Sequence, residues 1–211
     1  MNIKWKINTT PILYEEAITT MEHYVDGVIS NSQPNMVWLL EHFDVYTKGT
    51  SATNADLLNP NKIPVVESKR GGKITYHGKG QQIIYPIINL VSTKNIKLYV
   101  NTLETWIINT LRHYNLDAFK KDNLVGIWVL DQGQEKKIAA IGIRVRKWVA
   151  YHGIAVNISP NLQHFQNIIP CGLHNLGVTS LQQLKKDISF NNFNSILKKN
   201  IPPLISGGNL E

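Results

Sequence analysis

Apolar and charged residues alternate over residues 3–7, a period of two that predicts a first strand. Spacing then changes to three and four at Ile18, Met21, Val25, Val28 and Ile29. With Thr10-Pro11 as cap and first helical residue, and Glu15 and Glu16 in the first turn, this predicts a helix over residues 11–30. Gln33-Pro34-Asn35 ends it, and residues 36–40 form an unbroken apolar run that reads as a buried strand. Residues 45–49 continue as strand or turn. Residues 50–62 read as a loop with one helical turn near 54–58, and 63–66 as a short strand. A second amphipathic stretch, 96–114, is the clearest helix in the chain. Before it, 74–76 and 82–90 have strand chemistry.

The second half alternates between strands and turns. Residues 117–120 and 125–130 read as strands, Asp131-Gln132-Gly133-Gln134 as a hairpin turn, and 137–145 as the return strand. A turn near Arg146-Lys147 leads to a further strand over 148–157. Ala139, Ala140 and Gly142 remove bulk from one of these strands, and Gly153 and Ala155 from its neighbour. Two facing strands without large side chains suggest a slot for an extended apolar group; close helix packing is the other reading. A short helix is expected from Ser159-Pro160 to about residue 168. Another is expected from Leu181, capped by Ser180 with Gln183. A last helix should run from Ser189 to about residue 199, with Pro202-Pro203 ending regular structure. The pattern predicts α/β (α+β) architecture: mixed, mainly antiparallel sheets flanked by helices, in one domain spanning residues 1–211.

Composition narrows the class. Of 211 residues, 43% are hydrophobic and 18% charged, which excludes a disordered chain. No window reaches about 18 apolar residues and the N-terminus lacks a signal-peptide run, so no membrane association and a cytoplasmic setting are expected. The formal charge of +7, from 22 Lys+Arg against 15 Asp+Glu, favours an anionic partner. The basic residues are scattered, so a basic arm for nucleic acid is a weak reading and no nucleic acid is expected.

The sole cysteine, Cys171, stands between Pro170 and Gly172, on a turn that could present a nucleophile. A small buried hydrophobe is the alternative. Arg70-Gly71-Gly72-Lys73-Ile74-Thr75-Tyr76-His77-Gly78 packs glycines around a short strand, as a hairpin or a ligand-facing backbone would. His42, His77 and His152 are far apart in sequence, without paired metal-ligand spacing, and no metal is expected.

These motifs resemble the lipoyl(octanoyl) transferases, which share a fold with the biotin and lipoate protein ligases. The resemblance runs from Leu40-Glu41-His42 through Arg70-Gly71-Gly72 and Thr75-Tyr76-His77-Gly78 to Lys137-Ile138-Ala139-Ala140-Ile141-Gly142. It continues through Tyr151-His152-Gly153 and Asn157 to Pro170-Cys171-Gly172 and Gly177-Val178-Thr179-Ser180-Leu181. Each motif alone is weak; together and in this order they are specific. Lys73 stands where the family usually has Asp, Lys79 where it has Pro, and Phe43-Asp44 where it has a Pro pair.

The resemblance implies an acyltransferase that moves octanoyl from acyl carrier protein to a lysine of lipoyl domains. The domains expected are those of 2-oxoacid dehydrogenases and the glycine cleavage H protein. Cys171 would be the nucleophile. Lys137 sits where the family places the lysine that activates it, although Lys136 beside it has the same chemistry and a plain hairpin lysine is the ordinary reading. A free thiol, with pKa of about 8.5, is only slightly ionised at pH 7, so a neighbouring amine matters. By resemblance, Arg70, Gly71, Gly72, Lys73, Ile74, Thr75, Tyr76 and His77, with Ala140, Ile141, Gly142, Gly153, Ile154 and Ala155, line the acyl site, and His77 and His152 shape it. Backbone N–H groups of the glycine-rich stretches would serve the oxyanion. No cofactor is implied, because thioester to thioester to amide needs no ATP, and a monomer is expected. Two rivals remain: an ATP-dependent lipoate or biotin ligase of the same fold, and a non-enzymatic binding protein.

Overall fold

Strand β10 (Val149–Asn157) is buried along its whole length, and the molecule is layered around it. The computed structural model describes residues 3–169 and 177–208. The main sheet also contains β1 (Lys4–Ile7), β2 (Met36–Leu40), β6 (Gln81–Asn89), β7 (Phe119–Lys121), β8 (Leu124–Asp131) and β9 (Gln134–Arg146). Its order is β1-β2-β6-β10-β9-β8-β7, and the two-residue β11 (Gly177–Val178) pairs with β9 outside this path. Most neighbours are antiparallel; β1 with β2 and β11 with β9 are parallel. A smaller sheet has the order β4-β3-β5, from β3 (Val45–Lys48), β4 (Val65–Glu67) and β5 (Ile74–His77). The expected mixed, mainly antiparallel α/β architecture is what the chain adopts.

The alternation of side chains divides the main sheet into two faces. Val37, Leu39, Ile84, Ile88 and Ile154 turn to one side, where α2 (Ile96–Arg112) and α3 (Phe190–Lys199) cover them. Leu103, Trp106, Ile107 and Leu111 of α2 are all fully buried there. Each such side chain contributes about 1.5–3 kcal/mol when removed from water. Met36, Trp38, Leu40, Ile83, Tyr85 and Ile87 turn the other way, toward Ala17, Met21, Val25 and Val28 of α1 (Tyr14–Ile29). Two ion pairs join the far end of β9 to α1: Arg144 to Glu22 at 3.3 Å, and Arg146 to Asp26. The basic cluster at residues 144–147 therefore meets acids of the same chain.

Several boundaries differ from expectation. Helix α1 begins at Tyr14 rather than residue 11, because Ile12 is taken into a parallel bridge with His42. Its N–H donates to Glu41 O and its carbonyl accepts from Phe43 N–H, so residue 12 is extended. The helix expected from Ser159-Pro160 is a 3₁₀ helix over Leu162–Asn167, capped by Asn161, whose side chain accepts from Gln163 N–H. Ser180 does accept from Gln183 N–H at 3.1 Å, yet the chain makes only turns there, not a helix. Regular structure also continues past Pro202 in a short α4 (Pro203–Ser206), with Pro at its first position, where the missing N–H costs nothing. Asn95 and Ser189 cap α2 and α3, the latter as expected.

Candidate active site

Between the two sheets lies a cavity of about 290 Å³. Its floor is the pairing of β9 and β10, where Ala140 faces Ala155 and Gly142 faces Gly153. All four border the cavity, together with Ile141 and Ile154. The slot expected from small residues on two strands is thus present, and it is open rather than filled by a helix. The smaller sheet supplies the other wall. Gly71 N–H donates to Ile143 O at 2.9 Å, which docks the 70–73 segment onto the free edge of β9.

Arg70 is buried and frames this wall. Its Nε donates to Thr47 Oγ1 at 3.2 Å, Nη2 to Thr47 O at 2.7 Å, and Nη1 to Gly71 O at 3.0 Å. Lys73 borders the cavity and pairs with Asp56 at 3.2 Å. Asp56 is almost fully buried, and the Lys73 ammonium and the Thr53 N–H keep its carboxyl below the ordinary carboxylate range against the opposing effect of burial. The same Asp56 receives, on its backbone carbonyl, the N–H of Ile169 at 2.8 Å. The residue that departs from the family pattern at position 73 therefore holds the turn to which residue 169 is tied. Asp44, another departure, accepts from the Tyr76 hydroxyl at 2.9 Å. Lys79 is exposed.

Of the expected lining residues, Arg70, Gly72, Lys73, Ile74, Thr75 and His77 border the cavity. Gly71 and Tyr76 do not. The Gly71 N–H is already engaged by Ile143, which removes it as an oxyanion donor. Tyr76 packs edge-on against Phe165 at 5.4 Å in the core of the smaller sheet.

Lys137 is at one end of the cavity and is only 7% exposed. Its Nζ donates to Val125 O at 3.1 Å and lies 4.8 Å from the Trp128 ring centroid. Gly126, at φ +133°, makes room for it: a Cβ there would meet Lys137 Cε at 3.1 Å. Lys136 pairs with Asp131 at 3.0 Å and is not among the residues that border the cavity. Strand β11 pairs Gly177 with Lys136 and Val178 with Lys137. Cys171 lies outside the described residues.

The opposite end is polar, with the Arg70 guanidinium near a group of imidazoles and tyrosines. His42, His77 and His152, distant in sequence, gather around Tyr14 and Tyr85. The His42 and His77 rings are 6.0 Å apart, and His152 meets Tyr85 edge-on at 6.1 Å. His42 Nε2 is 2.8 Å from the Tyr85 hydroxyl, and Gln81 binds both His77 Nδ1 and Asn157. Burial pushes His42 down to about 4 and His152 to about 3, and His77 well below the usual histidine range, with Arg70 adding to the effect on His77 and His152. All three are therefore neutral imidazoles near pH 7. No group of three or more His, Cys, Asp or Glu among the described residues has the arrangement to hold a metal ion. Sequence reasoning missed Tyr14, Gln81, Tyr85 and Phe165, since a buried aromatic in a helix or strand carries no mark that separates wall from core.

Residues 13–201 match the lipoyl protein ligase A/B catalytic domain family. The octanoyltransferase of Ehrlichia canis (strain Jake) is 47% identical over 209 residues, 98% of either chain. That of Rickettsia bellii (strain OSU 85-389) is 53% identical over 193 residues, 90% of this chain and 92% of its own. Among solved structures, a bipartite lipoate protein ligase from Thermoplasma acidophilum superposes with a TM-score of 0.73 at 16% identity, over 100% of this chain and 86% of its own. A lipoate-protein ligase A bound with ATP gives 0.73 at 18% identity, over 97% and 85%. Biotin protein ligase from Aquifex aeolicus gives 0.57 at 13%, over 97% and 70%. At these identities the solved structures speak for the fold alone, whereas the sequence matches speak for the family. The chain belongs to the lipoyl protein ligase A/B catalytic domain family and, within it, to the octanoyltransferases, a group of acyltransferases.

Proposed function

We propose that the chain, as one domain and a monomer, moves octanoyl from acyl carrier protein to a lysine of lipoyl domains through a thioester on Cys171. Those of 2-oxoacid dehydrogenases and the glycine cleavage H protein are the expected acceptors. The observation that carries this reading is Lys137: a buried amine at one end of an apolar slot, on the strand rung beside Val178. The segment containing Cys171 is bracketed by described residues that touch the same region. Ile169 is tied to Asp56, and Gly177-Val178 to Lys136-Lys137.

In the first half-reaction the Cys171 thiolate attacks the octanoyl thioester carbonyl. The bond to the carrier sulfur breaks, and Lys137 protonates the departing thiol. In the second, the acceptor amine attacks the acyl-enzyme carbonyl. Its proton passes to Lys137 and the Cys171 thiolate is released. The product amide is more stable than either thioester, so the sequence runs without ATP. The slot would take the eight-carbon chain, worth roughly 5–6 kcal/mol at ~0.8 kcal/mol per CH₂ before ordering costs. The excess of basic residues suits acidic carrier proteins in the cytoplasm and makes association sensitive to salt.

The test is transfer from octanoyl-acyl carrier protein to an apo lipoyl domain, read by the acceptor's mass. Transfer without ATP, lost in Cys171→Ala, is the expected result. Transfer that requires ATP, or that survives Cys171→Ala, would contradict the reading.

A further inference from the structure

Two buried carboxylates stand at the two ends of the segment that contains Cys171. Before it, residues 167–169 run beside the 56–59 strip. Leu57 and Ile168 form an antiparallel bridge, and Leu58 N–H and Asn59 N–H both donate to Asn167 O. Ile169 N–H reaches the carbonyl of Asp56 at 2.8 Å. The Asp56 side chain holds that strip in shape. Its Oδ2 accepts from Thr53 N–H at 2.7 Å and from Thr53 Oγ1 at 3.1 Å, closing the box that caps the 3₁₀ turn Asn54–Asp56. Its Oδ1 accepts from Lys73 Nζ at 3.2 Å, and Lys73 belongs to the 70–73 segment docked on β9.

After the segment, other groups make a matching anchor. Thr179 Oγ1 donates to Asp131 Oδ2 at 2.9 Å, and Thr179 N–H to Lys137 O at 3.0 Å. Asn157 of β10 donates to Thr179 O at 2.9 Å. Asp131 also pairs with Lys136 at 3.0 Å. Asp56 and Asp131 are each 4% exposed. Burying a carboxylate is unfavourable unless cations and donors surround it, and apolar residues hold a chain in place without that cost. Both carboxylates are nevertheless found at the two approaches to one short stretch of chain. Each approach also reaches the slot: Phe165 on the entering side and Val178 on the leaving side border the cavity. Ile169 is two peptide units from Cys171, so their Cα atoms are at most about 7.6 Å apart.

We propose that Asp56 and Asp131 are positioning residues for acyl transfer: through the hydrogen bonds at Ile169 and Thr179 they fix both ends of the segment and so set where the Cys171 sulfur meets an acyl carbonyl in the slot. This rests on Cys171 being the acylated residue. Neither carboxylate borders the cavity, so the loss of either should slow the chemical step and leave occupancy of the slot unchanged.

The experiment is single-turnover acylation of the full chain by octanoyl-acyl carrier protein, followed by intact mass, in wild type, Asp56→Asn and Asp131→Asn. The maximal acylation rate should fall about tenfold in each, as small displacements of reacting groups produce. The half-saturating donor concentration should stay within about twofold. Amide hydrogen exchange separates positioning from general stability. Exchange at Ile169 should quicken in Asp56→Asn and exchange at Thr179 in Asp131→Asn, with Leu103 in the core of α2 unchanged. Wild-type maximal rates, a loss confined to half-saturation, or exchange at Leu103 that rises as much as at Ile169 or Thr179 would overturn the proposal. Should either variant fail to fold, Lys73→Gln and Thr179→Val each remove one contact to a carboxylate, and Lys73→Arg and Thr179→Ser restore it. The maximal rate should fall in the first two and recover in the second two; equal rates in all four would overturn the proposal. A wild-type chain that takes up no octanoyl would instead strike at the acyltransfer reading itself.

Discussion

The two faces of the main sheet carry the same kind of strand and end in different ways. Toward α2, Ala150, Ile154 and Val156 of β10 meet Trp106, Ile107 and Leu103, and the layer closes as a continuous apolar core. Toward the smaller sheet, Ala140, Gly142, Gly153 and Ala155 leave the β9–β10 floor low, and a cavity remains. Dense packing is the default of protein interiors, so an open slot has to be built by withholding side chains and by propping the walls. Here the props are the docked 70–73 segment, Arg70 on Thr47, and the ring of neutral imidazoles and tyrosines.

The comparison breaks most clearly at Trp106. Trp106→Ala should lower the unfolding free energy by about 3–5 kcal/mol, as for large-to-small core changes, measured by urea denaturation. Transfer per folded molecule should stay near wild type. On the other face the effect reverses. Ala140→Phe fills the slot and should cut acyl transfer about 100-fold, while denaturation changes by about 1 kcal/mol or less, since the new ring enters space already open. Equal effects of the two variants on folding would erase the distinction between the faces.

Acid tests the polar end. His42 and His152, at about 4 and about 3, and His77, lower still, bind protons more weakly folded than unfolded. The unfolded chain takes up protons first, near pH 6.5, so their contribution is present above that pH and is lost as pH falls through the folded values. Each histidine should cost up to about 1.4 kcal/mol per pH unit below 6.5. Denaturation at pH 7 and pH 5 should show this loss, and it should shrink in His152→Asn. The smallest expected effect concerns Lys137. Lys137→Ala should slow alkylation of Cys171 at neutral pH severalfold, through loss of the cation that favours thiolate; an unchanged rate would remove Lys137 from that role.

How much of this was readable from the sequence depended on which forces set each feature. Helix α2 and strands β2, β6, β8, β9 and β10 declared themselves through period and burial, because local pattern and tertiary environment agree there. The start of α1 did not. Thr10-Pro11 has good capping chemistry, but pairing of Ile12 with His42 overrides it. The turn at Ser180 has its cap and no helix to follow, since Leu181 N–H is drawn to Asn157 O and Gln182 N–H to Ile158 O. In the site, the small residues of β9 and β10 were legible because absence of bulk leaves a mark in sequence. His77 and His152 were named for the site only through the resemblance, and the partners they gather with, His42, Tyr14 and Tyr85, were not, because these rings meet only through the fold. That Lys136 turns to Asp131 while Lys137 borders the cavity was likewise not readable from their spacing.

The most direct measurement is the intact mass of the protein after mixing with octanoyl-acyl carrier protein. The account predicts a gain of one octanoyl group, absent in Cys171→Ala and formed more slowly in Lys137→Ala. A full adduct in Cys171→Ala, or none in the wild type while octanoyl still reaches the lipoyl domain, would contradict it.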